Sequence, residues 1–532
     1  MSLRINSDLK LALGNRSNRV AILAVLLVSL ALLQACSSNS SGSLGISCPG
    51  ATGSYSNTSL GPGGTQWAYE LSGWYVNSTG GYTPYTEGGV FVVNGSGVIT
   101  SGVDDYFGST SVTGTYSITS NGTGTINLNI VTSTGPQPLI WGITVANSGT
   151  TAAPGSFGVI EGDTFANASG AAYQQSAATL ATAPSGTFVF RTHVTTSGTS
   201  IAGSQASVGL IDFASNGTVT VNDDYNNSGT AGTSSNFSGT FTTPSAGIGS
   251  LSYTDGMGSH SYDYFVIDAS DMLLYETDGL NASPGLGRAE AQQVPTGGFV
   301  NASFNGSYAF GSRGDTSASG AGAVNSVGQL TASGNGNISG GSFDWARDGS
   351  PQLSQTIAAS TYTLSSSGRV TTTLSASAAG SIGDVLYMVS PTRAFLLVVS
   401  DPSRVEDGSM DLQSGAFSNS TFTSQYAFVM GGAVSAVPLD RTGTIQSDGN
   451  GNLGWAEQVN SGGTGNGVCL TGTYSVSANG RTTASVSTLS SSLVFYLVSG
   501  SQAYALQGDT GTQMMGGMVN QSQPVPAIPG IF

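Results

Sequence analysis

Four aromatic residues, Tyr69, Phe188, Tyr308 and Tyr426, stand 119, 120 and 118 residues apart, and each opens the same succession of strand and turn signals. A period of this length makes the chain four copies of one folding unit, which constrains every later reading of it. The copies are expected at residues 66–176, 185–294, 304–414 and 422–521. They are joined by links short enough to predict a beaded rod with limited bending.

Within each copy the first strand carries large apolar residues two apart, as in Tyr69/Leu71, Phe188/Phe190, Tyr308/Phe310 and Tyr426/Phe428. That spacing puts both side chains on one face of a strand. Gly/Asn turns follow at Asn94-Gly95, Asn216-Gly217, Gly334-Asn335-Gly336 and Asp448-Gly449, where cheap positive φ favours hairpins. A second aromatic is followed six residues on by glycine in every copy: Tyr116 and Gly122, Phe241 and Gly247, Tyr362 and Gly368, Tyr474 and Gly480. Each copy ends near a glutamine, at Gln175, Gln293, Gln413 or Gln521. About eight short strands per copy in simple succession, with no amphipathic helix after residue 36, predict an all-β chain of four tandem repeats. Each repeat is expected to be an up-and-down β-barrel of antiparallel strands, with a β-sandwich as the alternative. An eight-stranded barrel is filled by side chains or holds one small ligand.

Residues 1–36 read as a targeting segment. Arg4, Lys10, Arg16 and Arg19 precede an apolar run from Val20 to Leu33, too short to span a bilayer. The run ends in Leu33-Gln34-Ala35-Cys36, which resembles the lipobox of bacterial lipoproteins. The resemblance implies lipidation of Cys36, a membrane anchor through that lipid and, with Ser37 following, an outer-membrane location. Residues 37–65, rich in Ser, Gly, Thr and Asn, read as a flexible tether, and 522–532 as an unpaired tail. Beyond residue 36 the chain has no lysine and nine arginines against 28 acids. That balance argues against a nucleic-acid partner. Cys48 and Cys469 remain as a pair that an oxidising compartment could join in a disulfide.

The recurring chemical feature is an acid beside an aromatic: Asp105-Tyr106, Asp224-Tyr225 and Asp344-Trp345, with Trp455 near Glu457 as the fourth-copy match. A carboxylate and a flat ring together suit a sugar or small polar ligand. Adjacent strand residues point to opposite faces, however, so one of each pair can equally be core. Asp104-Asp105 and Asp223-Asp224 read as solvated strand edges, and Asp163, Asp278, Asp401 and Asp509 as strand-end turns. Asp448, Asn450 and Asn452 are spaced like a calcium loop, but Val459 stands where the bidentate Glu belongs, so a hairpin is the better reading. Arg313-Gly314-Asp315 matches the integrin-binding tripeptide and is expected in a loop, with little functional weight. His193 and His260 are too few for a zinc site built on nitrogen and sulfur ligands. No nucleophile elbow, phosphate loop or metalloprotease motif is present, so no catalytic residue, metal or cofactor is expected.

Gly449-Asn450-Gly451-Asn452, Gly472-Thr473-Tyr474-Ser475-Val476 with Asn479-Gly480-Arg481, and Gly306-Ser307-Tyr308-Ala309-Phe310 resemble a family of bacterial exported lipoproteins with tandem Gly/Ser/Thr-rich β repeats. The resemblance implies architecture and location and brings no activity. The expected function is a non-enzymatic, lipid-anchored surface or periplasmic protein that binds or scaffolds an extracellular glycan, small ligand or protein. The alternatives are ligand- or glycan-binding barrels and, behind them, a glycan hydrolase.

Overall fold

The computed structural model describes residues 54–521, apart from short segments at 77–81, 107, 109, 133–134, 148–154, 196–200, 279–283, 317–322, 377–379, 436 and 487–490. The expected signal peptide, Cys36, Cys48 and the 522–532 tail lie outside the described residues. No helix among those residues is long and apolar enough to cross a membrane.

Among the described residues thirty-three strands, β1 to β33, build four closed antiparallel barrels in tandem, as the repeat predicts. Barrel 1 runs from β1 (Thr65–Val76) to β8 (Ala166–Gln174), and barrel 2 from β9 (Gly186–Val194) to β16 (Leu286–Ala291). Barrel 3 runs from β17 (Asn305–Thr316) to β25 (Arg404–Leu412), and barrel 4 from β26 (Gln425–Val434) to β33 (Thr512–Asn520). In each barrel the first strand pairs with the last, as Leu71 with Gly170, Phe190 with Ala289, Phe310 with Met410 and Phe428 with Met518. Closure removes the sheet edges that a sandwich would leave. The fourth strand of barrel 3 is broken into Ser350–Ile357 and Ser360–Leu364, and the pairing of Val327 with Asp344 still closes the sheet.

Strand alternation explains how the barrels are filled and how they meet. Tyr69, Leu71 and their counterparts point inward and join the four barrel cores. Their neighbours Ala68, Val189, Ala309 and Ala427 point outward and are equally buried, because another barrel covers them. Val189, Val208 and Leu210 of barrel 2 meet Tyr387, Phe395 and Leu397 of barrel 3. Ala309 and Val327 of barrel 3 meet Tyr496, Tyr504 and Met515 of barrel 4. One cluster joins Ala68 and Ile160 of barrel 1 to Phe265 and Tyr275 of barrel 2 and to Ala427 and Val429 of barrel 4. The barrels therefore close into a ring, 1–2–3–4–1, and not into the expected beaded rod. Short links limit the distance between neighbours in sequence, but the buried outer faces decide the arrangement.

A repeated latch holds the ring. The side-chain amide of Gln175 donates to Val266 O (2.5 Å), that of Gln292 to Met388 O (2.9 Å), and that of Gln413 to Leu497 O (2.7 Å). Gln521 closes the cycle by donating to Val145 O of barrel 1 (2.5 Å). In the second copy the latch is thus Gln292 and not its neighbour Gln293, whose backbone N–H bonds Val389 O instead. Each latch lies over the glycine six residues past the second aromatic. Gly122, Gly247, Gly368 and Gly480 all have φ between +80° and +90°, and a Cβ on any of them would fall 2.5–2.7 Å from the glutamine nitrogen. That glycine therefore serves both the turn and the approach of the preceding barrel. Replacing Gln521 by Ala takes this donor from the buried Val145 carbonyl of barrel 1, while Asn121 O keeps the Gln425 amide, and is expected to lower stability by about 1–3 kcal/mol. A urea midpoint equal to that of the native chain would show that the latch carries no load.

The expected tether is structured over its last residues. Asn57–Leu60 form a 3-10 turn, Leu60 is buried and its carbonyl accepts the Trp67 indole N–H (3.0 Å). The same turn recurs at Asn301–Ser303 and Asn419–Thr421, where the carbonyls of Asn301 and Asn419 accept the hydroxyls of Tyr362 and Tyr474.

Candidate functional site: the ring axis

The recurring acid–aromatic strand builds the ring. Asp224 accepts the Arg369 guanidinium (Nε 2.5 Å) and the Tyr387 hydroxyl (2.8 Å) across the 2–3 junction. Asp344 accepts Arg481 (Nε 2.7 Å) and Tyr496 (2.8 Å) across the 3–4 junction. Trp345 and Trp455 belong to barrel cores, Tyr106 packs edge-on against Tyr85 (4.7 Å), and Tyr225 is half-buried. Asp105 is buried at the 1–2 junction, close enough to Asp263 to share a hydrogen bond.

In the fourth copy the structural counterpart of Asp344 is Gln458, not Glu457. Asp344 lies opposite Val327, one residue from the Gly328 that faces Phe310; Gln458 lies opposite Thr442, one residue from the Gly443 that faces Phe428. Gln458 donates to Gly124 O of barrel 1 (3.2 Å), while Glu457 turns inward to the Trp455 indole N–H (2.9 Å) and Arg441. Nor are Asp104 and Asp223 at solvated edges. Both are fully buried, because each strand has a barrel interior on one side and a neighbouring barrel on the other. Asp104 accepts the Tyr69 hydroxyl (2.8 Å) inside barrel 1, where Glu87 and Glu161 are also buried. Burial pushes the pKa of both glutamates well above the carboxylate range, with neighbouring acids adding to the effect.

The pocket to which all four barrels contribute lies on the ring axis. It encloses about 80 Å³. A side chamber of about 60 Å³ shares Ser72, Trp74, His193, Thr195 and Arg313 with it. One strand position supplies much of the wall: the residue five after the opening aromatic is Trp74, His193, Arg313 or Gly431. Asp315 and Asp440 complete its charged lining. The Arg313-Gly314-Asp315 tripeptide is therefore not in a loop. It ends β17, with Gly314 and Asp315 buried and Arg313 half-buried.

Electrostatics at the axis are uneven. His193 bridges Asp407 (Nδ1 to Oδ1, 2.6 Å) and Asp315 (Nε2 to Oδ2, 3.3 Å), and Arg191 also pairs with Asp407 (3.0 Å). Burial opposes charge on His193, yet these carboxylates lift its pKa to about 9. Burial raises Asp440 to about 7, against the pull of the Ser169 hydroxyl and the Arg313 charge. Eight of the nine arginines beyond residue 36 form ion pairs with carboxylates within 4 Å. Among the described residues Arg313 is the exception; its guanidinium donates to Ser72 Oγ (2.6 Å). Burial pulls its pKa below the ordinary arginine value, against the nearby charges of Asp407 and Asp315.

None of the acid–aromatic residues lines this pocket. What would have pointed to it is the column five residues after the opening aromatic, where one strand position carries four unlike residues. Elsewhere, Asp448 is spent on its own hairpin, accepting Asn450 N (2.7 Å) and Asn452 N (3.0 Å). Cys469 is disulfide-bonded, and its expected partner Cys48 lies outside the described residues. No protein-family model matches the chain, and no curated protein matches it at a significant level.

Proposed function

We infer that this is a non-enzymatic binding protein, exported and lipid-anchored through Cys36, whose ligand sits on the ring axis and not inside the barrels. The observation that carries this reading is Arg313, a half-buried guanidinium facing a pocket with no carboxylate paired to it among the described residues. A desolvated arginine gains most from an anionic oxygen pair. Asp315 and Asp440 in the same wall disfavour a polyanion and favour a ligand that also donates hydrogen bonds; Trp74 offers it a flat apolar face. The ligand class is a small carboxylate bearing hydroxyl or amino groups, such as a sugar acid or an amino acid. The barrel interiors are filled by their own apolar clusters, which speaks against lumenal ligands.

Calorimetric titration of the full chain with a panel of sugar acids, neutral sugars and amino acids tests this. A carboxylated member is expected to bind, and Arg313→Gln to weaken it about tenfold or more. Equal binding by both proteins, or no binding by any member, would remove the reading. Glycan hydrolysis is the second reading, because Asp440 is held near pH 7 in a pocket that also contains Asp315. Recovery of uncleaved oligosaccharide after long incubation decides against it.

A further inference from the structure

We propose that His260, Glu276 and Asp278, at one end of barrel 2, form a binding site for a divalent transition-metal ion. His260 lies on β14 (Ser259–Asp268) and Glu276 ends the next strand, β15 (Asp271–Glu276). Glu276 pairs with Tyr262, two residues from His260, so strand alternation turns all three side chains to the same side. Asp278, two residues beyond Glu276, follows on that side.

His260 Nδ1 is 3.6 Å from Glu276 Oε1 and 3.9 Å from Asp278 Oδ2, and the three ligand atoms lie within 4.8 Å of one another. Nδ1 is buried and, among the described residues, has no partner within hydrogen-bond length. These separations exceed hydrogen-bond length. They approach the spacing of about 3.4 Å between donors that each sit about 2.1 Å from a tetrahedral ion. One imidazole and two carboxylates balance a divalent charge and suit zinc, manganese or cobalt.

The surroundings prepare the ligands. Asp255 Oδ1 lies 3.1 Å from His260 Nε2 and is itself held by the N–H groups of Met257 and Gly258. Placing the imidazole proton on Nε2 leaves the Nδ1 lone pair facing the two carboxylates, as second-shell acids do at histidine metal sites. The Gly285 N–H binds Glu276 Oε2 (2.8 Å), which leaves Oε1 on the His260 side. The rings of Tyr253 and Tyr262 flank the imidazole at 5.3 and 6.2 Å. Only the second copy sets a histidine beside the strand-end acid. Three protein ligands also leave coordination positions open to water or a small ligand.

The test is titration of the chelator-treated full chain with Co²⁺, read by visible absorption and by the imidazole proton resonances. One Co²⁺ per chain is expected, displaced by Zn²⁺, with His260 signals broadened and those of His193 left sharp. Asp278→Asn and His260→Gln should abolish the absorption band, and Asp255→Asn should weaken binding about 10- to 100-fold. Native chain that takes up no stoichiometric metal overturns the proposal. So does broadening centred on His193, or binding undiminished in both ligand variants. Should a variant fail to fold, the broadening pattern of the native chain alone decides.

Discussion

Raising the pH from about 5 to about 9 is expected to destabilise the folded ring by several kcal/mol, seen as a falling urea midpoint. Burial holds the Glu70 carboxyl at about 8, against the pull of Arg288 and Arg191. Asp440 is held at about 7. In the unfolded chain such carboxyls titrate near 4. Between the two values the folded state keeps a proton that the unfolded state has released, so stability falls as pH rises, and the loss is complete above the folded value. His193 acts in the same sense. Its folded pKa of about 9 lies above the unfolded value, so its contribution is full below about 6.5 and is lost through pH 9. Glu87 and Glu161, also raised by burial and by neighbouring acids inside barrel 1, act in the same sense. A midpoint that stays constant or climbs over this range would mean that these acids are ionised in the native ring.

Asp344→Ala should cost about 3–5 kcal/mol, because it removes one member of a buried ion pair. Asp344 is fully buried and accepts Arg481 Nε and Nη2, the Tyr496 hydroxyl and the Ser354 N–H (2.7 Å). The Arg481 side chain is only 16% exposed, so its charge cannot easily return to water. Asp224→Ala at the equivalent 2–3 junction should cost less, since Arg369 is 31% exposed and can rehydrate. Adding Arg481→Met to Asp344→Ala should recover part of the loss, and the double-mutant cycle gives the coupling directly. A loss below about 1 kcal/mol for Asp344→Ala would place this contact among ordinary surface pairs.

The barrels were legible in the sequence because local signals agreed. Tyr308 and Phe310, two apart, face one core, and the Asn-Gly turns occur where hairpins need them. The ring was not legible. Gln521 and Val145 are far apart along the chain, and Ala68 or Ala427 looks like strand filler until a neighbouring barrel covers it. Asp224 and Asp344 were visible as a recurring pattern, but their arginine partners lie in the following copy. Arg313 and His193 carry little weight in the sequence because each occurs in one copy only. Being single is what marks them: at an axis shared by four copies, a residue present once makes the site asymmetric.

The closing contact between barrels 4 and 1 uses the same glutamine-on-glycine geometry as the three contacts whose barrels are consecutive in the chain. A head-to-tail interface that closes after four steps is the geometry of a cyclic homotetramer. A tetramer of identical subunits must present the same residue four times on its axis. Joining the subunits into one chain lifts that restriction, so tryptophan, histidine, arginine and glycine can occupy one equivalent position. Covalent linkage here gives each quarter of the axis freedom to differ.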